Sequence, residues 1–405
     1  FMNERAPYFN STMDTDYMRL VRQSLSLFGS WPYKEFGIHR HTMLIWRAEF
    51  IFCVDVITLF SGILYLKNRV NVISFFELGH TYITVFMNII GMQRVFSGCT
   101  KSYKKTATEF VLHYHLVHHK DKSAYSLEIH ELVHKICSFF SKFISLQMCI
   151  GYSLFNLIPM YNNLKTGMYS FNNRPENGTF DLSVFYELPF DYTTNVTGYV
   201  CVFIFNIYLS FLASNQFCFI DLFICIIVFH IWGHLKILKH NLKNFPKPEH
   251  DKYKEEDASK IKKWAYTFHR FTEITSAGFG HTLACYLFFH QIAECILLLE
   301  CSQLDIEALA KYGPLTIILL QQLLQVTIVF DLLSRESDSL KDCVYDLPWE
   351  SMDNKNKKLM LFFLGNVQDP IKLKAAGIVP VSLQTGIIKT SLSYFLMLQT
   401  FTSSE

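Results

Sequence analysis

Long apolar stretches, almost free of charge, dominate this 405-residue chain. A membrane-spanning helix needs about 20 mainly apolar residues. Charged residues make up only 18% of the chain, whereas soluble domains average about 25%. The sequence therefore predicts an all-α, polytopic membrane protein with seven transmembrane helices, at approximately residues 43–66, 72–96, 133–160, 199–231, 268–299, 314–333 and 379–401.

Lysine and arginine between these stretches predict the orientation, because cytoplasmic loops are enriched in both residues. With a cytoplasmic N-terminus, roughly 26 of them fall in internal segments and roughly 5 in external ones. Two glycosylation sequons, at Asn177 and Asn195, fall in the predicted external loop 162–198. We therefore predict a cytoplasmic N-terminus and an extracellular C-terminus, the reverse of a rhodopsin-like receptor.

The last sixty or so residues contain a series of short motifs. In order, they are Tyr345 with Trp349, Gln368-Asp369-Pro370, Ala376-Gly377 and Ser393-Tyr394-Phe395. A polar, lysine-rich helix with one apolar face is predicted at about residues 343–365. This series resembles the C-terminal region of the insect odorant receptor family, with Asp369 as a departure where that family usually has a basic residue.

The resemblance implies an odorant-gated, poorly selective cation channel of four subunits. A conserved coreceptor would supply the other subunits, and a variable receptor such as this chain would bind the odorant. The implied domains are a cytoplasmic segment at 1–42, a six-helix bundle with the odorant pocket at 43–333, a cytoplasmic anchor at 334–378 and a pore-lining helix at 379–401. The anchor would include Tyr345, Trp349, Gln368 and Pro370. The expected location is the cell membrane of a sensory neuron dendrite, with membrane lipids as further partners.

The predicted seventh helix has one face of mixed hydroxyl and bulky apolar side chains. On the residues alone, close helix packing would explain the small hydroxyl residues equally well. The resemblance favours a pore face made of Ser393, Tyr394, Met397, Thr400 and Phe401. It also places Met397, Thr400 and Phe401 at a narrow extracellular gate, where bulky apolar groups suit gating by dewetting.

An odorant is small and mostly apolar, so its pocket should combine aromatic and aliphatic side chains with few polar groups. His80, Asn206 and His290 are the stronger polar candidates as a set, because buried polar groups in a membrane need partners. Arg94 is instead expected to snorkel or to pair structurally. Ordinary packing within the bundle is the alternative for any single pocket residue. The pocket is expected in the outer halves of spans two to six, of which spans two to five offer Phe75, Phe76, Gly79, His80, Ile83, Met148, Gly151, Tyr152, Phe155, Phe203, Asn206, Ile207, Ser210, Tyr286, Phe289 and His290.

Other functions fit the sequence less well. A gustatory-type channel acting as a homotetramer would share this architecture and is the main alternative. A secondary transporter would show internal repeats or broken helices, and an enzyme would need a nucleophile, metal or phosphate motif. His115 and His119 lie four residues apart but lack a flanking cysteine or carboxylate pair, so neither a metal site nor a cofactor is predicted. A net charge of +2 gives no reason to expect nucleic acid.

Overall fold

The computed structural model describes residues 2–37, 42–73, 75–170, 174–175, 178–246, 255–302, 306–371, 374–375 and 379–380. Within these ranges the chain is almost entirely helical, with one short antiparallel pair of strands. The helices are α1 (Met2–Met13), α2 (Asp16–Leu27), α3 (Thr42–Arg69), α4 (Phe75–Cys99), α5 (Lys101–Glu109), α6 (Ala124–Lys165), α7 (Val196–Lys243), α8 (Glu255–Ser302), α9 (Ile306–Asp338), α10 (Leu340–Tyr345) and α11 (Asn354–Val367), and the strands are β1 (Lys374–Ala375) and β2 (Val379–Pro380).

Five helical segments in the described part are long and apolar enough to cross a membrane. They lie in α3, α6, α7, α8 and α9–α10, where the first, third, fourth, fifth and sixth spans were predicted. The second predicted span forms α4, which contains Glu77, His80 and Arg94 and is not one of the five. The predicted seventh helix begins differently, because Val379 and Pro380 form β2. Residues 381–401, including the proposed pore residues, lie outside the described residues. The count of seven spans and the orientation stay predictions.

The centre of the bundle is α7, which packs against α6 and α9. From Asn215 to Ile231 almost every residue of α7 is buried, as expected for a helix that is apolar on all sides. The N-terminal segment also contributes to this core. Tyr17, Met18 and Val21 of α2 are each at most 1% exposed, although the sequence of residues 1–42 predicted only a polar cytoplasmic segment.

The polar helix predicted at 343–365 is broken in the structure. α10 ends at Tyr345, and a turn through Pro348 leads to a new helix that Asp353 caps by accepting the backbone N–H of Asn356. Proline lacks the N–H donor that a continuous helix would need. Tyr345 and Trp349 therefore lie on separate elements, 62% and 41% exposed.

The segment after α11 is attached to α9. Gln368 donates from Nε2 to the carbonyl oxygen of Leu364 in its own helix. Just beyond Pro370, the backbone N–H of Ile371 donates to Ser337 Oγ at 2.8 Å. Ser337 and Ile371 are both buried. The C-terminal end of α9 is thus joined to the chain that leads into β1 and onward to residues 379–401.

Candidate functional site

A cavity of about 120 Å³ lies among α4, α6, α7 and α9. One side is closed by residues 184–186 of the α6–α7 loop, which joins the two helices. The lining is mainly aliphatic and aromatic, carries no charged side chain, and includes a few amides and hydroxyls. It consists of Thr84, Met87, Asn88, Gln147, Met148, Gly151, Tyr152, Phe155, Val184, Tyr186, Leu209, Ser210, Ala213, Ser214, Phe217, Cys218, Leu315, Ile318, Leu319 and Gln322.

Helical spacing explains how α6 lines this cavity. Met148, Gly151 and Phe155 recur three or four residues apart and so share one face, with Gln147 beside Met148. Gly151 leaves space, because a Cβ atom there would lie 3.4 Å from Ile318 Cδ1, an ordinary contact distance. A glycine at this position therefore widens the cavity without being required by close packing.

Five of the predicted ligand contacts line the cavity. They are Met148, Gly151, Tyr152, Phe155 and Ser210. The other predicted residues whose side chains are described do not line it, namely Gly79, His80, Ile83, Phe203, Asn206, Ile207, Tyr286, Phe289 and His290. Phe75 and Phe76 begin α4, and their side chains lie outside the described part of the structure. On α4 and α7, the residues that line the cavity lie further along each helix from the α6–α7 loop than most of the predicted contact residues do.

The polar residues His80 and Asn206 bind the α6–α7 loop. His80 Nε2 donates to the carbonyl oxygen of Ser183 at 2.7 Å, and Asn206 Nδ2 donates to that of Val184 at 2.9 Å. Buried polar groups in an apolar interior need such partners. The loop backbone supplies them. His80 also stacks on Phe155, with ring centroids 5.9 Å apart.

The loop is held firmly at the cavity wall. Tyr192 Oη donates to the carbonyl oxygen of Tyr186 at 2.6 Å and accepts the N–H of the same residue at 3.0 Å. Ser61 Oγ of α3 donates to the carbonyl oxygen of Glu187, whose N–H donates back to Ser61 O. Tyr186 is therefore fixed from both neighbouring sides and forms a stable part of the lining.

The structure describes one of the two predicted glycosylation sites. Asn195 is exposed and caps α7, with its Oδ1 accepting the N–H of Thr197. Its Nδ2, the atom to which a glycan would be attached, is not used in that cap. Asn177 lies outside the described residues.

The predicted contacts on α8 lie behind the α7 wall. The ring of Phe289 packs on that of Phe217, 5.4 Å between centroids, and Phe217 in turn faces the cavity. Tyr286 lines a second space of only about 10 Å³, together with Asp221 and Gln322. His290 is fully buried, and neither of its ring nitrogens has a hydrogen-bond partner among the described residues.

An ion pair lies directly behind the cavity wall. The Arg94 guanidinium of α4 is 0% exposed and pairs with Asp221 of α7, with 3.0 Å between Nη2 and Oδ1. It also donates to the carbonyl oxygens of Gln216 and Phe217. Its Cζ lies 4.5 Å from the centroid of the Phe217 ring. The sequence left two alternatives for Arg94, snorkelling and structural pairing, and the structure shows pairing. Because Phe217 also lines the cavity, its ring separates the cavity from the ion pair.

At the other end of α7, Tyr17, His115 and His230 form a buried polar group, which we name the Tyr17 cluster. A π-helical turn at Phe110–Tyr114 ends the helical run, so the backbone N–H groups that follow can reach side chains. The N–H of Leu116 donates to His230 Nδ1 at 3.1 Å, and that of Val117 donates to His115 Nδ1 at 3.3 Å.

These backbone donors fix the protonation of both rings. Because each Nδ1 accepts a hydrogen bond, each neutral ring carries its proton on Nε2. The Nε2 atoms of His115 and His230 lie 2.9 and 3.2 Å from Tyr17 Oη and donate to it. Burial, followed by the neighbouring His230, holds the pKa of His115 well below its usual value, and burial raises the pKa of Tyr17. Among the described residues, no group of three or more His, Cys, Asp or Glu is arranged to hold a metal ion.

Sequence reasoning placed the pocket among spans two to six but named no residue of the sixth, and it missed the α6–α7 loop. Leu315, Ile318, Leu319 and Gln322 all belong to the sixth predicted span. A signal was present, because amides such as Gln322 are uncommon within an apolar span and mark it as facing protein or a cavity. Val184 and Tyr186 carried no comparable local signal.

Comparison with known proteins connects this architecture to a receptor family. The family model described as 7tm Odorant receptor matches residues 74–392. Odorant receptor 22a of Drosophila melanogaster is 31% identical over 72 residues, and Odorant receptor 85a of the same species is 33% identical over 75 residues. These alignments cover 17% and 18% of this chain and 18% and 19% of the two relatives. The chain therefore spans less than a fifth of the length of the curated relatives that it matches.

The fold matches over a far greater length. The insect olfactory receptor OR5 from Machilis hrabei superimposes with a TM-score of 0.77 at 14% identity, over 95% of this chain and 99% of that one. The same receptor in complex with eugenol also gives 0.77, at 13% identity and over 99% of both chains. At these identities the likeness shows a shared fold. Because the family model covers most of the sequence, this multi-pass membrane protein belongs to the 7tm odorant receptor family.

Proposed function

We propose that this chain is the odorant-binding subunit of an odorant-gated cation channel. The observation that carries the proposal is the uncharged cavity among α4, α6, α7 and α9, closed by the α6–α7 loop. Its apolar walls and few polar groups suit a small volatile molecule. Family membership supports the same conclusion, as does the shared fold with a receptor solved in complex with eugenol.

The geometry of α9 supports a route from ligand to pore. This helix has 33 residues and is therefore about 50 Å long. Near one end, Leu315 to Gln322 line the cavity, and near the other, Ser337 binds the backbone of Ile371. In the proposed mechanism, a ligand shifts α9, and α9 moves the segment that leads into residues 379–401. Those residues line the pore, and Met397, Thr400 and Phe401 form its gate.

The proposal includes an assembly and an orientation. The chain lies in the cell membrane of a sensory neuron dendrite with its N-terminus in the cytoplasm. It forms a tetramer with conserved coreceptor subunits through the region of Tyr345, Trp349, Gln368 and Pro370. The exposed side chains of Tyr345 and Trp349 support this role, because large aromatic residues on a cytoplasmic surface are suited to burial against partner subunits.

The test is electrical recording from cells that express the chain with and without a coreceptor. Currents evoked by volatile esters, alcohols, aldehydes or terpenes only in the cells that also express the coreceptor would support the proposal. The absence of current in those cells across the whole panel of compounds would count against it. Currents from the chain alone, evoked by sugars or bitter compounds, would favour the gustatory-type homotetramer.

A matched pair of variants tests the gate. Met397→Ala removes a bulky group from the proposed constriction and should raise the current that flows without ligand, because a wider apolar constriction stays wet. Leu396→Ala changes a neighbouring residue outside the proposed pore face and should leave that current unchanged. Equal behaviour of the two variants would contradict the assignment of the pore face.

A further inference from the structure

The α6–α7 loop is the one part of the cavity lining, among the described residues, that is not helical. Val184 and Tyr186 supply this part, and every other lining residue belongs to α4, α6, α7 or α9. Between the two, Phe185 packs on Tyr65 of α3, with ring centroids 5.7 Å apart. A helical wall moves only when its helix moves, so the loop is the wall whose position depends on single contacts.

Asn206 of α7 holds this segment by its backbone. The side chain is 0% exposed, and Nδ2 donates to the carbonyl oxygen of Val184 at 2.9 Å. No other described residue donates to that oxygen. The Asn206 Oδ1 has no hydrogen-bond partner in the described part of the chain, so the amide makes a single bond there, and that bond lies on the cavity wall. Because a buried carbonyl oxygen without a donor is unfavourable, this bond stabilises Val184 in its place at the cavity.

The segment 183–187 stays packed without this bond. Side chains of α3, α4, α6 and α7 each contact one residue of it, through Ser61, His80, Asn156 and Asn206. Phe185 and Tyr186 also belong to a separate hydrophobic cluster with Tyr65 and Tyr192. Loss of one hydrogen bond should therefore shift the segment and not unfold it.

Water is close to the segment. Glu187 follows Val184 by three residues, and its side chain is 34% exposed. Without Asn206 as its donor, the Val184 carbonyl gains a hydrogen bond only when the segment moves toward water. Such a movement takes Val184 and Tyr186 away from the cavity.

The volume of the cavity gives the size of ligand that this wall admits. The cavity has about 120 Å³, and an engineered apolar cavity of roughly 150 Å³ binds benzene. A single ring or a straight chain of about six carbons is therefore the expected size. A longer chain has to displace a wall, and overpacking of this kind is unfavourable.

We propose that Asn206 is a positioning residue of the ligand site, which holds Val184 and Tyr186 against the cavity and thereby sets the greatest length of ligand that binds. This inference rests on the proposed function, because it takes the cavity to be the odorant site. Asn206 does not line the cavity and acts through the loop backbone. When its hydrogen bond is lost, the loop wall withdraws and longer ligands gain space.

The experiment compares ligands of one chemical type that differ in length. The probes are 1-hexanol with 1-nonanol, and methyl pentanoate with methyl octanoate. Dose–response currents are recorded in cells that express the chain with its coreceptor. For the unmodified chain, the shorter member of each pair should act at a concentration at least about tenfold lower than the longer member. Comparison of the same pair across variants cancels differences in volatility and solubility.

A matched pair of leucine variants tests the hydrogen bond. Asn206→Leu keeps the approximate size of the side chain, removes the donor, and should reduce the ratio between short and long ligands by about threefold or more. Asn215→Leu is the control, because Asn215 is 2% exposed, does not line the cavity, and donates within α7 to the carbonyl oxygen of Phe211. It should keep the ratio. A general loss of stability would lower the currents for both members of a pair and leave their ratio unchanged.

A second pair of variants replaces the first if Asn206→Leu does not reach the membrane, which surface labelling checks. Tyr192→Phe removes the hydroxyl that binds the backbone of Tyr186 on both sides and should reduce the ratio in the same direction. Tyr208→Phe, at a side chain of α7 that is 45% exposed, should keep it.

The possible failures are distinguishable. A ratio that is the same in Asn206→Leu as in Asn215→Leu overturns the inference, and so does an unmodified chain that responds equally to short and long ligands. The absence of current with all four probes, in cells that respond to another compound of the wider panel, overturns it as well and leaves the proposed function standing. The absence of current with the whole panel overturns the proposed function, and the inference fails with it.

Discussion

The two ends of α7 are packed differently, although one continuous helix forms both. At the cavity end, Gly151 on the facing helix leaves space that a Cβ atom could enter at 3.4 Å from Ile318. At the end with the Tyr17 cluster, a Cβ atom on Gly233 would lie 2.6 Å from Leu116 Cδ1 and 3.0 Å from Val133 Cγ2. The cavity end has free space, whereas the other end is filled.

This difference separates two requirements that often conflict. A receptor must vary the walls of its ligand site while it keeps a fold that can transmit a change to a pore. In the proposed function, substitutions at the cavity end alter contacts with a ligand, and the close packing around Tyr17 is left intact. The comparison predicts that equal chemical changes at the two ends have unequal effects on stability.

The largest expected effect lies between the two ends, at Arg94. Arg94→Met leaves Asp221 buried without its partner and should destabilise the protein by about 3–5 kcal/mol. The thermal unfolding midpoint and the surface expression of the receptor should both fall. Arg335→Met is the control, because the Arg335 side chain is 75% exposed in its pair with Asp331 and such pairs contribute about 0–1 kcal/mol.

A double variant sharpens the test of Arg94. Arg94→Met combined with Asp221→Leu removes both charges and should recover most of the lost stability, because an apolar replacement of a buried pair is often neutral. A single Arg94→Met variant as stable as Arg335→Met would show that the pair contributes little to the fold.

The next effect concerns the Tyr17 cluster. Tyr17→Phe removes the oxygen that accepts the Nε2–H groups of His115 and His230, and leaves two buried donors unpaired. The expected loss is about 2–6 kcal/mol, from roughly 1–3 kcal/mol for each of the two unsatisfied groups. Tyr8→Phe, at a side chain 52% exposed, should change the unfolding midpoint little. Equal unfolding midpoints for Tyr17→Phe and Tyr8→Phe would contradict the buried hydrogen bonding of the Tyr17 cluster.

Gly233 and Gly151 test the difference between the two ends of α7 most directly. Gly233→Ala should cost about 1–3 kcal/mol by overpacking, whereas Gly151→Ala should leave the unfolding midpoint nearly unchanged. Gly151→Ala instead fills part of the cavity, and one extra methyl group in a pocket changes affinity roughly tenfold or more. Unfolding midpoints and odorant dose–response curves measure the two effects separately. A larger loss of stability in Gly151→Ala than in Gly233→Ala would contradict the described difference in packing between the two ends.

The smallest effect is a dependence of stability on pH. The pKa of His115 is lowered in the folded state, so below its ordinary value of about 6.5 the unfolded chain binds a proton that the folded chain excludes. Stability should therefore be constant above that pH and fall by about 1.4 kcal/mol per pH unit below it. His115→Gln should remove this part of the slope. A flat profile between pH 7.5 and 5.5 would contradict the buried, neutral ring.

The sequence predicted the helices more accurately than their ends. The predicted span 199–231 lies within α7, but the helix runs on to Lys243, because hydropathy marks the apolar length of a helix and not its full length. Gly151 beside aromatic residues was a local signal for free space, and the cavity lies there. His80 and Asn206 were predicted to meet a ligand, yet they bind a loop whose path depends on tertiary contacts. Local patterns cannot give such a path.

The pairing of Arg94 with Asp221 has a consequence for how the protein is made. The two residues are 127 positions apart, so at about 5–20 residues per second the carboxylate is synthesised roughly 6–25 s after the arginine. During that interval α4 holds a cation without its partner, and it is not among the described helices that are apolar enough to cross a membrane. We expect α4 to remain at the translocon or the lipid surface, and to insert fully only after α7 has been synthesised. The order of synthesis, as well as the final set of contacts, then determines whether the receptor is inserted correctly.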